Sequence, residues 1–209
     1  DTFTIIDFDD KLIPMSSRPL PATADNKAAA ARFVDGLNAD GGTEMLPALQ
    51  LAFEQLGASS SKGRVQQVIF MTDGAVSNED ALFALIHDHI AKTRLFTVGI
   101  GAAPNTYFMR KAAEMGRGTF TYVGSPDEVE PKMGDLFAKI ESPVLSGIEV
   151  DFGQGAQIEA WPQKVPDLYL GEPLMIVARL GSVPSNVVVT GMMAGRPNST
   201  SFEVPWPVE

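Results

Sequence analysis

From Thr2 to Ile140, apolar runs of strand length alternate with windows of helical periodicity, and this alternation narrows the possible folds more than any other feature of the chain. Val65–Met71 and Leu95–Ile100 are nearly continuous apolar runs, the pattern of strands buried on both faces. Thr2–Phe8 and Thr119–Val123 are rich in β-branched and aromatic residues and also read as strands. Lys11–Met15 is a short return strand halted by Pro14. Between the runs, Asn26–Leu37 is predicted helical with Phe33, Val34 and Leu37 on one face, and Met45–Leu56 places Met45, Leu46, Leu49, Phe53 and Leu56 at helical spacing. Asn78 can cap a third helix carrying Leu82, Phe83, Leu85, Ile86 and Ile90. A fourth, Asn105–Met115, is closed by Gly116. Ser125-Pro-Asp-Glu128 reads as a capping box opening a fifth, which carries Val129, Met133, Leu136, Phe137 and Ile140. Strand and helix in turn predict an α/β fold, a mostly parallel sheet with helices on both faces, in which Thr2–Phe8, Val65–Met71, Leu95–Ile100 and Thr119–Val123 share one sheet.

The pattern changes at Ser142-Pro143. Beyond it no helical window occurs. Strand-like runs at Ile148–Phe152, Leu174–Leu180, Val187–Met192 and Ser201–Val204 are punctuated by Gly and Pro, as in an antiparallel sandwich. The expected division is therefore 1–141 for the α/β domain and 142–209 for a β-rich module. Trp161 and Trp206 are expected to be packing residues of that module.

Composition excludes some functions. The net charge of −10 argues against nucleic acid, which needs a basic footprint, and suits a divalent cation or a basic partner. With no cysteine, disulfides and thiolate metal sites are excluded. No apolar run approaches the roughly 18 residues that a membrane span requires. The chain enters a strand directly from Asp1, without a leader-like stretch, and reads as a processed or excised piece.

Open α/β sheets bind ligands at the carboxyl ends of their strands. Two loops are expected there, Asp40-Gly-Gly-Thr-Glu44 before the second helix and Met71-Thr-Asp-Gly74 after the apolar strand. A hydroxyl and a carboxylate are hard oxygen donors suited to Mg2+, Mn2+ or Ca2+. Taken singly, Thr43 is more often a helix cap and Asp73-Gly74 more often a turn. Together at one sheet edge they point to a site, with Asp40 and Glu44 as solvated loop acids. His87 and His89, two residues apart on a helix, do not share a face and do not form a metal pair. Gly99-Ile-Gly101 lacks the rest of a dinucleotide fingerprint, and Ser59–Ser61 has no neighbouring base. With no catalytic residue identified, the expectation is a non-enzyme.

Gly41-Gly-Thr43 before a helix, Ile69-Phe-Met-Thr-Asp-Gly74 ending a strand and Phe96-Thr-Val-Gly-Ile-Gly101 together resemble the von Willebrand factor A domain. The likeness is to the form in inter-alpha-trypsin inhibitor heavy chains and their bacterial relatives. Asp1–Phe8 resembles that form's second strand, while Ser142-Pro-Val-Leu145 and Tyr169–Arg179 resemble the β-rich stretch after its A domain. The resemblance implies a Rossmann-like sheet and a metal ion-dependent adhesion site, with Thr43 and Asp73 as the second- and third-loop ligands. It also implies that the first strand and its Asp-x-Ser-x-Ser loop are missing from this chain, which leaves the site incomplete and of low occupancy. Mg2+ or Mn2+ (Ca2+ third) would bind in the intact domain, with a protein partner offering an acidic group, outside the cytoplasm. Without the first strand, Thr2–Phe8 is expected to pair directly with Val65–Met71, or a strand of another copy to fill the gap by self-association. The alternatives are a metal-independent interaction scaffold and a nucleotide-binding α/β enzyme.

Overall fold

A computed structural model of the chain describes residues 1–38, 41–58, 65–74, 76, 78–89, 93–102, 104–141, 143–153, 158–163, 165–169, 173–181, 186–193 and 196–203. These fall into two compact units, Asp1–Gly124 and Ser125–Glu209. Asp40, Ser59–Ser61, Ile90, Ser142 and Trp206 lie outside the described residues.

The first unit opens with a ribbon of short strands, β1 (Thr2–Phe3), β2 (Ile6–Phe8), β3 (Leu12–Pro14) and β4 (Leu20–Pro21). Next come α1 (Ala24–Asp35), α2 (Met45–Gly57), β5 (Gln66–Thr72), α3 (Glu79–His89), β6 (Thr93–Ile100), α4 (Thr106–Met115) and β7 (Arg117–Val123). The central sheet has the order β5-β6-β7 and is parallel throughout, with Val68 beside Leu95 and Phe70 beside Thr97. α3 carries the chain from β5 to β6 and α4 from β6 to β7, the helical crossovers that parallel neighbours require.

One face of this sheet is covered by helices. Met45, Leu49 and Phe53 of α2, Leu82 and Ile86 of α3 and Phe108, Met109 and Ala112 of α4 form one buried cluster with Phe70 and Leu95. Thr97, fully buried on the same face, donates its hydroxyl to the Met109 carbonyl at 2.7 Å, so the polar group carries no unmet desolvation cost. Alternate residues Phe96 and Val98 point to the opposite face and are buried too, which accounts for the nearly continuous apolar run over Leu95–Ile100. Two glycines set the start of β7. A Cβ at Gly116 would overlap the Leu95 side chain and one at Gly118 the Leu95 carbonyl group, so neither position accepts a larger residue without a shift.

The N-terminal run departs from expectation. Thr2–Phe8 does not join the parallel sheet and does not pair with β5. It splits, β1 pairing antiparallel with β4 and β2 with β3. The break falls at Thr4 and Ile5, where the Ile5 carbonyl accepts from the Met15 amide at 2.8 Å. Closing a ribbon between neighbouring segments costs little loop entropy, so the local partner wins over the distant one. Contact with the sheet survives through side chains, Phe8 stacking on Phe70 with centroids 5.4 Å apart.

Helix α1 is also displaced, starting at Ala24 behind the Thr23 cap, whose hydroxyl accepts from the Asn26 amide. Of its expected apolar face, Val34 is 48% and Leu37 41% exposed, and Ala30 is the helix residue that is buried.

The second unit holds α5 (Val129–Glu141) and the strands β8 (Pro143–Asp151), β9 (Ile158–Trp161), β10 (Leu168–Tyr169), β11 (Val177–Leu180), β12 (Asn186–Met193) and β13 (Arg196–Glu203). All pairings are antiparallel, in a sheet of order β10-β8-β12-β13 and a ribbon β11-β9. A 3-10 turn over Pro126–Glu128 precedes α5. Ser125 makes no side-chain capping bond there, so its half of the expected capping box is missing, while Glu128 pairs with Lys132 at 2.9 Å. Trp161, expected to pack inside the module, is 50% exposed beside Val177 on the narrow ribbon, because a two-stranded ribbon has no second layer of its own to bury it.

Candidate functional site

β5 delivers one loop to the carboxyl edge of the sheet. Thr72, its last residue, is buried, and its hydroxyl accepts from the Gly74 amide at 3.1 Å. This bond turns the chain sharply and leaves Asp73, between the two, exposed to solvent.

The start of α2 delivers the other. Thr43 does not cap this helix: Glu44 occupies the N-cap position, without a side-chain capping bond. The Thr43 side chain lies instead against Gly74, its Oγ1 2.9 Å and its Cγ2 3.0 Å from where a Cβ on Gly74 would stand. Only a residue without a side chain allows this approach. The structure thus brings Thr43 beside the residue that directly follows Asp73. Among the described residues, neither the Thr43 hydroxyl nor the Asp73 carboxylate has a hydrogen-bond or ion-pair partner. Both are oxygen donors of a kind that a divalent cation takes, and two donors leave most of a six-coordinate shell to other ligands. No group of three or more His, Asp or Glu side chains suited to a metal ion occurs among the described residues.

What holds the Thr43 loop is not visible in any local pattern of residues. The turn between β2 and β3, read only as a turn, reaches it at two points. The Asp9 carbonyl accepts from the Glu44 amide at 3.0 Å, and Asp10 Oδ1 accepts from the Gly42 amide at 2.5 Å. A Cβ on Gly41 or Gly42 would lie 2.7 Å from an Asp10 carboxylate oxygen, and Gly41 has a φ of +90°. The two glycines therefore serve this approach and the turn. Glu44 stays exposed in the same loop.

Other polar residues have local duties. His89 stacks on Phe53 with centroids 5.4 Å apart and its Nδ1 lies 3.0 Å from the Leu85 carbonyl, while His87 contacts Asp88. Gly99 lies against Pro104 and Phe120, where a Cβ would stand 3.0 Å and 3.1 Å from their side chains, and Gly101 turns the chain at a φ of +84°. The Gly101 amide donates to the Val123 carbonyl and its carbonyl accepts from the Tyr122 hydroxyl, each at 2.9 Å. These are the contacts of a packed loop. No helix of the described residues is long and apolar enough to cross a membrane.

Comparison with known proteins bears on the whole chain. A family profile described as von Willebrand factor type A domain matches residues 1–122. A von Willebrand factor A domain-containing protein of Dictyostelium discoideum is 30% identical over 181 residues, which are 85% of this chain and 21% of the relative. The human von Willebrand factor A domain-containing protein 5B1 is 26% identical over 176 residues, 83% of this chain and 14% of that protein. The chain thus spans about a fifth or less of the curated relatives it matches. Among solved structures, a von Willebrand factor type A protein from Catenulispora acidiphila superposes with a TM-score of 0.70 at 18% identity, covering 97% of this chain and 56% of that one. The ArnB paralog VWA2 from Sulfolobus acidocaldarius does so with a TM-score of 0.54 at 14% identity, over 96% of this chain and 54% of its own. At these identities the structures speak for the fold.

Proposed function

Because the chain belongs to the von Willebrand factor type A domain family, in general a family of protein-interaction modules, we propose that it binds a protein partner through the loops at the carboxyl edge of its parallel sheet, with a divalent cation in the contact. The observation that supports this is the Thr43 hydroxyl, released from capping α2 and packed on Gly74 immediately after Asp73. Thr43 and Asp73 would hold Mg2+ or Mn2+, with Ca2+ as third choice, and the cation's chemistry when bound is to accept a carboxylate of the partner as a further ligand. What the chain itself contributes is geometry. The Thr72 hydroxyl holds the Gly74 amide and so aims Asp73 outward. The side chain of Thr43 excludes any residue larger than glycine at position 74. Because these residues supply only two donors, affinity through them alone is weak, and a partner's carboxylate gains in importance. We extend the same reading to the inter-alpha-trypsin inhibitor heavy chain-like subfamily, to a bacterial relative of it and to a station outside the cytoplasm, on the order of the motifs along the chain.

Mn2+ titration of isotope-labelled protein tests the proposal. Paramagnetic broadening should begin at the amides of Thr43, Asp73 and Gly74 and disappear in Asp73→Ala. Broadening spread evenly over the acidic surface, or unaffected by that substitution, would overturn the metal site. The second reading, an interaction scaffold that needs no cation, would then hold. It draws support from the lack of any group of three or more His, Asp or Glu suited to a metal among the described residues.

A further inference from the structure

We propose that Asp10 is the positioning residue of this site, a side chain that touches no ligand but sets where Thr43 stands. The proposal rests on the reading of Thr43 as a site residue and adds to it a group from a different part of the chain. The β2–β3 turn closes itself without Asp10. The Asp9 carboxylate accepts from the Lys11 amide at 2.6 Å, and the Asp9 amide donates to the Lys11 carbonyl at 3.0 Å. The Asp10 carboxylate is thus spare as far as the hairpin is concerned, and it accepts from an amide 32 residues away, that of Gly42. From the same turn, the Asp9 carbonyl accepts from the Glu44 amide. The two bonds straddle Thr43, one on the residue before it and one on the residue after it.

A loop fixed on both sides of one residue presents that residue's side chain in one orientation, and Thr43 then meets Gly74. A carboxylate acceptor makes the Gly42 bond charge-assisted, stronger than a neutral contact of the same geometry. Gly41 and Gly42 fit the same account, since a Cβ on either would collide with Asp10 and drive the carboxylate off. The loop glycines, the acidic turn and the threonine therefore act as one unit, in which Asp10 joins the N-terminal ribbon to the sheet-edge site.

Asp10→Ala and Asp10→Asn in the full chain decide the matter by nuclear magnetic resonance. Asp10→Ala should raise the exchange rate of the Gly42 amide about tenfold, the equivalent of losing one charge-assisted bond, and should abolish the Overhauser contact between the Thr43 methyl and the Gly74 α-protons. Asp10→Asn keeps an acceptor oxygen and should restore that contact. The thermal midpoint should stay at the wild-type value in both, because the hairpin closes through Asp9. Mn2+ affinity, read from broadening at Gly74, should fall about tenfold in Asp10→Ala and recover in Asp10→Asn. The proposal is overturned if Asp10→Ala leaves the Gly42 exchange rate and the Thr43–Gly74 contact as they are. It is equally overturned if both variants unfold the ribbon alike, which would make Asp10 a plain structural residue. Should the wild-type chain take up no Mn2+, the metal reading falls, while the exchange rate and the Overhauser contact still settle the positioning role.

Discussion

Alanine at position 74 probes the contact on which the site depends. Its Cβ would stand 2.9 Å from Thr43 Oγ1, 3.0 Å from Cγ2 and 3.3 Å from Cβ, well inside the roughly 3.5–4.0 Å at which carbon contacts settle. Gly74 is not among the glycines with positive φ, so alanine meets no backbone strain and the effect is one of side-chain crowding. Rotation of Thr43 about χ1 gives no escape. Both γ heavy atoms are too close, and a rotation can move at most one of them into the place of the hydrogen. Overpacking of this kind costs about 1–3 kcal/mol. Gly74→Ala should therefore lower the unfolding free energy by about that amount in urea denaturation followed by circular dichroism. Thr43→Ala removes both offending atoms, so the double variant should recover most of the loss, with a coupling of about 1 kcal/mol or more in the cycle. Thr43→Ser, which removes Cγ2 alone, should rescue in part. A Gly74→Ala cost below about 0.5 kcal/mol that simply adds to that of Thr43→Ala would refute the crowding of Thr43 against position 74.

Three further outcomes are expected. Gly118→Ala places a Cβ on the Leu95 carbonyl group, which is backbone and cannot turn aside, and should cost about 3 kcal/mol in thermal unfolding; an unchanged midpoint would contradict the register of β6 and β7. Thr97→Val keeps the shape but deletes the buried bond to Met109 and should cost about 1 kcal/mol by the same measurement. The Ser125 hydroxyl, with the Asp127 amide second, holds the exposed Asp127 carboxyl below its ordinary value. That lowered value stabilises the fold above the unfolded carboxylate's titration range, and the contribution is lost as pH falls through the folded value. Ser125→Ala should raise the Asp127 titration midpoint toward the ordinary carboxylate range in a carbon-detected titration.

Much of the fold could be read from local pattern. α2, α4, β5, β6 and β7 lie within a few residues of where periodicity, caps and the apolar runs put them, because the residues that bury each element are its own near neighbours at helix or strand spacing. Asn105 caps α4 through its side chain and Gly116 closes it, as the chain order suggests. The change to antiparallel strands beyond residue 142 is likewise written in the loss of helical spacing and the density of Gly and Pro.

Sequence alone therefore determined the order of the five helices and of the longer strands, though not the short strands β4, β9 and β10, and it singled out Thr43 and Asp73 as residues of interest. Tertiary structure decided the rest, since each remaining question turns on atoms far apart in the chain. Thr43 could have capped α2, and its contact with Gly74 drew the side chain elsewhere. Thr2–Phe8 has the composition of a sheet strand, and proximity in sequence gave it to a local ribbon. Val34 and Leu37 have the spacing of a buried face, and they stay exposed because an apolar stripe is buried only where another element packs on it. Asp10 looks like any acidic turn residue until the fold carries Gly42 to it across 32 residues, and no local pattern encodes a bond of that span.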